Sequence, residues 1–227
     1  KRDHHEAGQF INALVTYLQP SPDSFLLDAG CGKGRHSKVL ASMGFDVTGI
    51  DLAENMITYA RHFETDKLHF YQHDMRLPFH VNYFDYAFNL FTSFGYFQTQ
   101  REHDNVIRSI SQSLKNEGIF VIDYINTHYT EDHLVGSEEK TIESVQFHIT
   151  RWHDEKYFFK QIQTGHTDKT YKHLFTEKVA KFSPGDFTDM LAYQDMQVQD
   201  IFGDYQLGTY NVRKSPRMII VAKKKMH

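Results

Sequence analysis

The sequence predicts an α/β fold: a seven-stranded, mostly parallel sheet with an antiparallel last strand, helices on both faces, and a small antiparallel β insertion. Three observations predict it. Between residues 24 and 125, short apolar runs alternate with stretches of helical period, the pattern of consecutive βαβ units. Residues 141 to 182 lose that period and become rich in β-branched and aromatic side chains. Two final apolar runs are joined by a loop with no helical period, and strands so joined pair antiparallel.

Phe10, Ile11, Leu14, Val15 and Leu18 recur at helical spacing until Pro20 and Pro22, which predicts an amphipathic N-terminal lid helix over 5 to 18. Strand 25–29, helix 34–42, strand 46–50 and helix 53–63 follow, then strands at 68–72 and 84–90. Val106, Ile107, Ile110 and Leu114 form one helical face, and Gly118 opens an apolar strand at 119–125. Three antiparallel strands are expected at 141–152, 157–164 and 171–182, an inserted β lid over 141–182 with hairpin turns at Asp154-Glu155 and at 165–169. Ser183, Pro184 and Asp186 supply an N-cap, a first-turn proline and an acid three residues past the cap, so a helix runs to about Tyr193. Strands at 197–202 and 218–222 close the chain around the loop 203–216.

A length of 227 residues suits a single domain, 1–227, carrying an insertion. No segment approaches the roughly 20 apolar residues that cross a bilayer, so no membrane partner is expected. The one cysteine, Cys31, has no internal partner, and no export signal precedes the first helix; a cytoplasmic location is the expectation. A net charge of −4, with no Lys/Arg run before 223–225, gives little hold on a phosphate backbone, so a small-molecule substrate is expected and not nucleic acid. The 15 histidines are scattered without ligand spacing, and no metal is expected.

The strongest chemical signal is the apolar run Leu26, Leu27, Asp28, Ala29 ending in Gly30-Cys31-Gly32-Lys33-Gly34 and a helix. Glycines there let the main chain approach a bound group with no Cβ in the way, and the helix start offers free N–H donors. Asp51 closes the second strand about twenty residues on, where a carboxylate accepts ribose hydroxyls. Together they point to an adenosine-type ligand. The dinucleotide fingerprint needs Gly or Ala where Arg35 stands, which disfavours NAD, and Asp28 is placed to attract an ammonium, directly or through water.

This strand-Asp-x-Gly-Cys-Gly-x-Gly pattern resembles the first motif of class I S-adenosylmethionine-dependent methyltransferases, a Rossmann-like family. Thr48 to Met56 resembles the second motif. The resemblance implies that Asp51 holds the ribose and that Leu52 and Met56 flank the adenine. His73-Asp74-Met75 is similar to the third, whose acid takes the adenine amino group, and Tyr83 to Leu90 to the fourth, placing Asn89 and Leu90 at the methyl-donor mouth. Leu114-Lys115-Asn116-Glu117-Gly118 is similar to the family's Leu-Lys-Pro-Gly-Gly turn, with Asn-Glu in place of Pro-Gly. The implied cofactor is S-adenosylmethionine. The implied cofactor set is Asp28, Gly30, Cys31, Gly32, Asp51, Leu52, Met56, Asp74, Met75, Asn89 and Leu90.

The expected reaction is in-line methyl transfer to an oxygen or nitrogen of a small molecule. Aligning a nucleophile with an electrophilic methyl and excluding water needs few catalytic groups. If a proton must leave, Tyr96, Tyr124 and His128 are the candidate bases near the ends of strands four and five. Phe91, Phe94, Tyr96 and Phe97 offer ring faces to a sulfonium. Phe147, Arg151, Trp152, Tyr157 and Phe159 are pocket candidates in the insertion. Rival readings are a silent S-adenosylmethionine-binding protein and a nucleic-acid methyltransferase.

Overall fold

The structure is a computed structural model and describes residues 4–143, 145–165 and 171–226. Helix α1 (His4–Leu18) is followed by β1 (Phe25–Ala29), α2 (Arg35–Ser42), β2 (Asp46–Asp51), α3 (Glu54–Ala60) and β3 (Leu68–Gln72). After β4 (Phe84–Asn89), α4 (Gln100–Ser113) and β5 (Leu114–Ile125), a short helix α5 (Thr127–Asp132) leads into β6 (Ser137–Ile142), β7 (Val145–His153), β8 (Tyr157–Gly165) and β9 (Tyr171–Ala180). Helix α6 (Pro184–Ala192), β10 (Met196–Phe202) and β11 (Arg217–Lys224) complete the chain.

The main sheet has the order β10-β11-β5-β4-β1-β2-β3. The pairs among β5, β4, β1, β2 and β3 are parallel, and β11 runs antiparallel to both β5 and β10, as the helix-free loop between them requires. Both faces are covered, which is why the central strands β1, β4 and β11 are buried along most of their length, whereas the edge strands β3 and β10 keep exposed polar positions. Phe120, Ile122 and Tyr124 of β5 face a core shared with α4 and α6, while Val121 faces one shared with α1, α2 and α3. Chain order reverses between β1 and β4, and the crevice beyond their carboxyl ends is where open α/β sheets bind ligands.

Several expectations are corrected. The insertion is a four-stranded antiparallel sheet, β6-β7-β8-β9, over 137–180 and not three strands over 141–182. Ser137–Ile142 is a separate edge strand, exposed along most of its length, so it lacks the apolar alternation that marks a strand in sequence. Strand β5 begins at Leu114, with a register shift against β4 where Glu117 takes a φ of +65°, the left-handed conformation that the family's glycine would supply. Helix α3 ends at Ala60 and tightens into a 3₁₀ turn over Arg61–Phe63. The turn at Asp154 forms, its carboxylate accepting the Lys156 and Tyr157 N–H groups. The turn expected at 165–169 lies, beyond Gly165, outside the described residues. At α6 the capping box of Ser183 and Asp186 is present as expected.

Candidate functional site

The glycine turn after β1 is pinned to β2: the Gly30 and Cys31 N–H groups both donate to the Ile50 carbonyl, at 2.8 and 3.0 Å. Gly30 has a φ of +79° and Gly32 of +54°. A Cβ on Gly30 would lie 2.7 Å from Ser93 Cβ, whereas one on Gly32 would meet nothing within 4 Å. Gly30 is therefore packed and Gly32 faces open space, as the residue under a ligand must. Asp51 accepts the Gly32 N–H at 2.8 Å through Oδ2 and the Ala53 N–H at 2.9 Å through Oδ1. The outward lone pairs of both oxygens remain for further donors.

Asp28 lies beneath the turn, 1% exposed, and accepts the Ser37 hydroxyl at 2.5 Å. Burial pushes its carboxyl up to about 6 against the lowering effect of that hydrogen bond. Cys31 is buried too, and burial pushes its thiol up, away from the thiolate a nucleophile needs. At the end of β4, Asn89 donates to the Ala29 carbonyl at 2.8 Å, bridging the two strands at the reversal point. Its Oδ1 is buried with no partner, an unmet acceptor beside Met75 Sδ, 3.7 Å from the amide nitrogen. Leu90 is buried next to it, Met56 is half-buried, and Leu52 is 60% exposed on the far side of Asp51.

Asp74, the acid that the resemblance assigns to the adenine amino group, is engaged by an arginine two residues on. Its two oxygens hold the Arg76 guanidinium, at 3.0 Å from Nε and 2.6 Å from Nη2, and Arg76 also pairs with Glu102. These bonds hold the Asp74 carboxyl below the usual range.

The candidate bases separate sharply. Tyr124 is fully buried, its hydroxyl donates to the Ala180 carbonyl, and burial pushes its phenol up; it joins β5 to the end of β9 and has no access to a substrate. His128 lies 3.8 Å from Glu131, in a separate pocket of about 280 Å³ shared with Lys181 and Tyr210. Tyr96 is half exposed and lines a cleft of about 440 Å³ between the main sheet and the insertion.

Phe91, Thr92, Arg151, Phe159 and Arg217 line the same cleft. Phe94 sits wholly in the core and Phe97 lies under Arg76, so of the four rings after β4 only Phe91 and Tyr96 reach the cleft wall. In the insertion, Trp152 stacks on Phe159 with centroids 5.1 Å apart, and Lys178 lies over Tyr157 at 3.6 Å. Phe147 does not line the cleft.

The floor of the cleft holds what sequence reasoning missed. Phe91 and Thr92 have consecutive φ values of +56° and +60°. Asp123 holds that bend, accepting the Phe91 N–H at 2.8 Å on its carboxylate and the Thr92 N–H at 3.0 Å on its carbonyl. Arg217 pairs with Asp123, Nε to Oδ1 at 2.7 Å, and donates through Nη2 to the Thr92 hydroxyl at 2.8 Å. The available signal was one acid inside the apolar run 119–125 and one arginine opening the apolar run 217–222. Charges in fully buried strands are costly unless paired.

With this geometry in view, the comparisons define the class of protein. The chain belongs to the methyltransferase domain family, which matches residues 21–163. A dTDP-3-amino-3,4,6-trideoxy-alpha-D-glucopyranose N,N-dimethyltransferase of Streptomyces venezuelae is 30% identical over 122 residues, 54% of this chain and 51% of that protein. A ubiquinone biosynthesis O-methyltransferase of Hydrogenovibrio crunogenus is 28% identical over 136 residues, 55% of this chain and 56% of that one. The chain spans about half the length of the curated relatives it matches. An S-adenosylmethionine-dependent methyltransferase from Clostridium acetobutylicum has the same fold, with a TM-score of 0.83 at 18% identity, covering 99% of this chain and 93% of that one. The sugar N-methyltransferase KedS8 from Streptoalloteichus gives a TM-score of 0.77 at 19% identity, over 99% and 89% of the two chains. Among the described residues, no helix is long and apolar enough to cross a membrane.

Proposed function

We propose that this chain is an S-adenosylmethionine-dependent methyltransferase that methylates an oxygen or nitrogen of a small-molecule acceptor. One observation carries the reading: Asp51 is fastened across the mouth of the glycine turn, directly beside the open face of Gly32. The unmet Asn89 Oδ1 supports it, since a buried acceptor without a donor fits a ligand that brings one. Gly32 and the Asp51 carboxylate would hold the nucleoside end over the turn that Gly30 shapes, Leu52 and Met56 would flank its base, and Asn89 and Leu90 would border the amino-acid tail. Asp28 acts from beneath the turn, through Ser37 and the backbone, and Met75 packs against the turn at Gly30. Asp74 would receive an adenine amino group only on a lone pair that Arg76 leaves over.

When bound, S-adenosylmethionine supplies an electrophilic methyl group. The chain's own task is then orientation and water exclusion. Phe91 and Thr92, held by Asp123, form the floor against which an acceptor rests. The inserted sheet serves as the lid over it, and α1, whose Phe10 packs against Phe91 and Tyr205, closes the neighbouring edge. Where the acceptor must lose a proton, Tyr96 and Glu177 are the groups on the cleft wall able to take it.

The test is calorimetric titration with S-adenosylmethionine, S-adenosylhomocysteine and NADH, followed by turnover on a panel of amino sugars, phenols and amines. Micromolar binding of the first two with methyl transfer to one acceptor class is the expected result. Absence of binding by either would overturn the reading.

A further inference from the structure

We infer that the cleft between the two sheets seats an anionic group of the acceptor, a carboxylate or a phosphate, on Arg217 with Arg151 and Lys160 completing the site. The word acceptor rests on the methyltransferase reading; the anion site itself does not.

Arg217 is 6% exposed, yet it lines the cleft. Its Nε is committed to Asp123 and its Nη2 to Asp123 and Thr92, and among the described residues no acceptor meets Nη1. The guanidinium lies 5.6 Å from the Tyr205 ring centroid, and Arg217 lines both this cleft and the neighbouring one at Tyr129 and His133. A guanidinium presenting an unused N–H edge from a buried, pre-oriented position is an anion receptor that needs no further ordering.

The opposite wall adds to it. Arg151, Lys160 and Glu177 stand directly across from one another on β7, β8 and β9, a charged row on one face of the inserted sheet. Lys160 donates to Glu177 at 3.1 Å and Arg151 to Glu138 at 2.9 Å. The cleft wall carries Arg151, Lys160 and Arg217, each of which faces one carboxylate, Glu138, Glu177 and Asp123 respectively, and keeps further N–H donors for a ligand. A cleft built for an uncharged, apolar acceptor would pay the desolvation of these groups for no return.

The experiment titrates the protein at low ionic strength with inorganic phosphate, with acetate and with glycerol as a neutral control, by calorimetry. S-adenosylhomocysteine is titrated in parallel. Saturable binding of phosphate or acetate, and none of glycerol, is expected, with the tighter anion naming the group. In the Arg151→Gln/Lys160→Gln double variant and in Arg217→Lys, anion affinity should fall about tenfold, while the double variant keeps its S-adenosylhomocysteine affinity within about twofold. No saturable binding of either anion sinks the inference and leaves the methyltransferase reading standing. Equal affinity in all variants sinks it too, as an adventitious ion only. Anion binding without S-adenosylhomocysteine binding sustains the site and overturns the cofactor reading instead. If Arg217→Lys does not fold, the double variant decides alone.

Discussion

Asp51 accepts the backbone N–H of Gly32 at 2.8 Å, tying the end of β2 to the turn after β1. The carboxylate is thereby pre-positioned instead of being ordered by the ligand. Replacing Asp51 with Ala removes both the proposed ribose acceptor and the partner of two backbone donors. Affinity for S-adenosylhomocysteine should fall by about 1–3 kcal/mol. Calorimetric titration measures it, and wild-type affinity in the variant would refute the site assignment.

Gly30 and Gly32 differ in what surrounds them, so alanine should act differently at each. Gly30→Ala drives a Cβ to 2.7 Å from Ser93 on top of a left-handed φ of +79°, and should lower the melting temperature by several degrees. Gly32→Ala meets nothing within 4 Å, so it should cost only about 1 kcal/mol of stability from its φ while still weakening the cofactor. Thermal melts with and without S-adenosylhomocysteine separate the two; equal melting losses would contradict the packing described.

Asp28 carries a pH dependence of definite sign. Its carboxyl is raised from 3.8 to about 6 by burial, so the folded state binds more protons than the unfolded one between these values. The stability this contributes is complete below about pH 4 and is lost as pH rises through 6. Asp28→Asn, which keeps an acceptor for Ser37, should be more stable than wild type at pH 7 by on the order of 1–3 kcal/mol, with cofactor binding weakened. Denaturant melts at pH 4 and 7 check it: an unchanged difference between the two proteins at both pH values would be the contrary result.

His36 works in the other direction. Buried against Phe91 with ring centroids 4.7 Å apart, it is lowered from 6.5 to about 3 by burial and by Arg35. The neutral ring's contribution is present above pH 6.5 and is lost as pH falls toward 3. The stability of His36→Phe should therefore fall less steeply than wild type over that window in urea titrations at stepped pH.

Tyr124→Phe removes the hydroxyl that holds the Ala180 carbonyl and leaves that carbonyl unpaired in the core. Stability should drop by about 1–3 kcal/mol, while kcat with a saturating acceptor stays within about twofold. A loss of kcat at full stability would restore Tyr124 as a base.

Chain-local signals carried most of the architecture. Periodicity and the two prolines that follow it marked α1, the glycine turn marked the passage from β1 to α2, and the Ser183 cap marked α6, because each is set by residues within a few positions of one another. Gly30, Gly32 and Asp51 are farther apart, 19 residues from Gly32 to Asp51, yet one βαβ unit brings them to the ends of adjacent parallel strands. Strand β6 and helix α5 escaped notice since one is an exposed edge and the other a single short turn, and neither needs an apolar stripe.

What the sequence by itself determined was the order of the main-sheet elements, the mostly parallel sheet and the adenosine-type turn. Only the tertiary structure decided the fate of individual polar groups. It enclosed Tyr124 under Ala180, turned His128 into a different pocket, and brought Arg217 to Asp123 across 94 residues of chain. Such partnerships depend on which strands lie side by side and on how deeply each charge is buried, and both are properties of long-range packing that no local pattern of residues records.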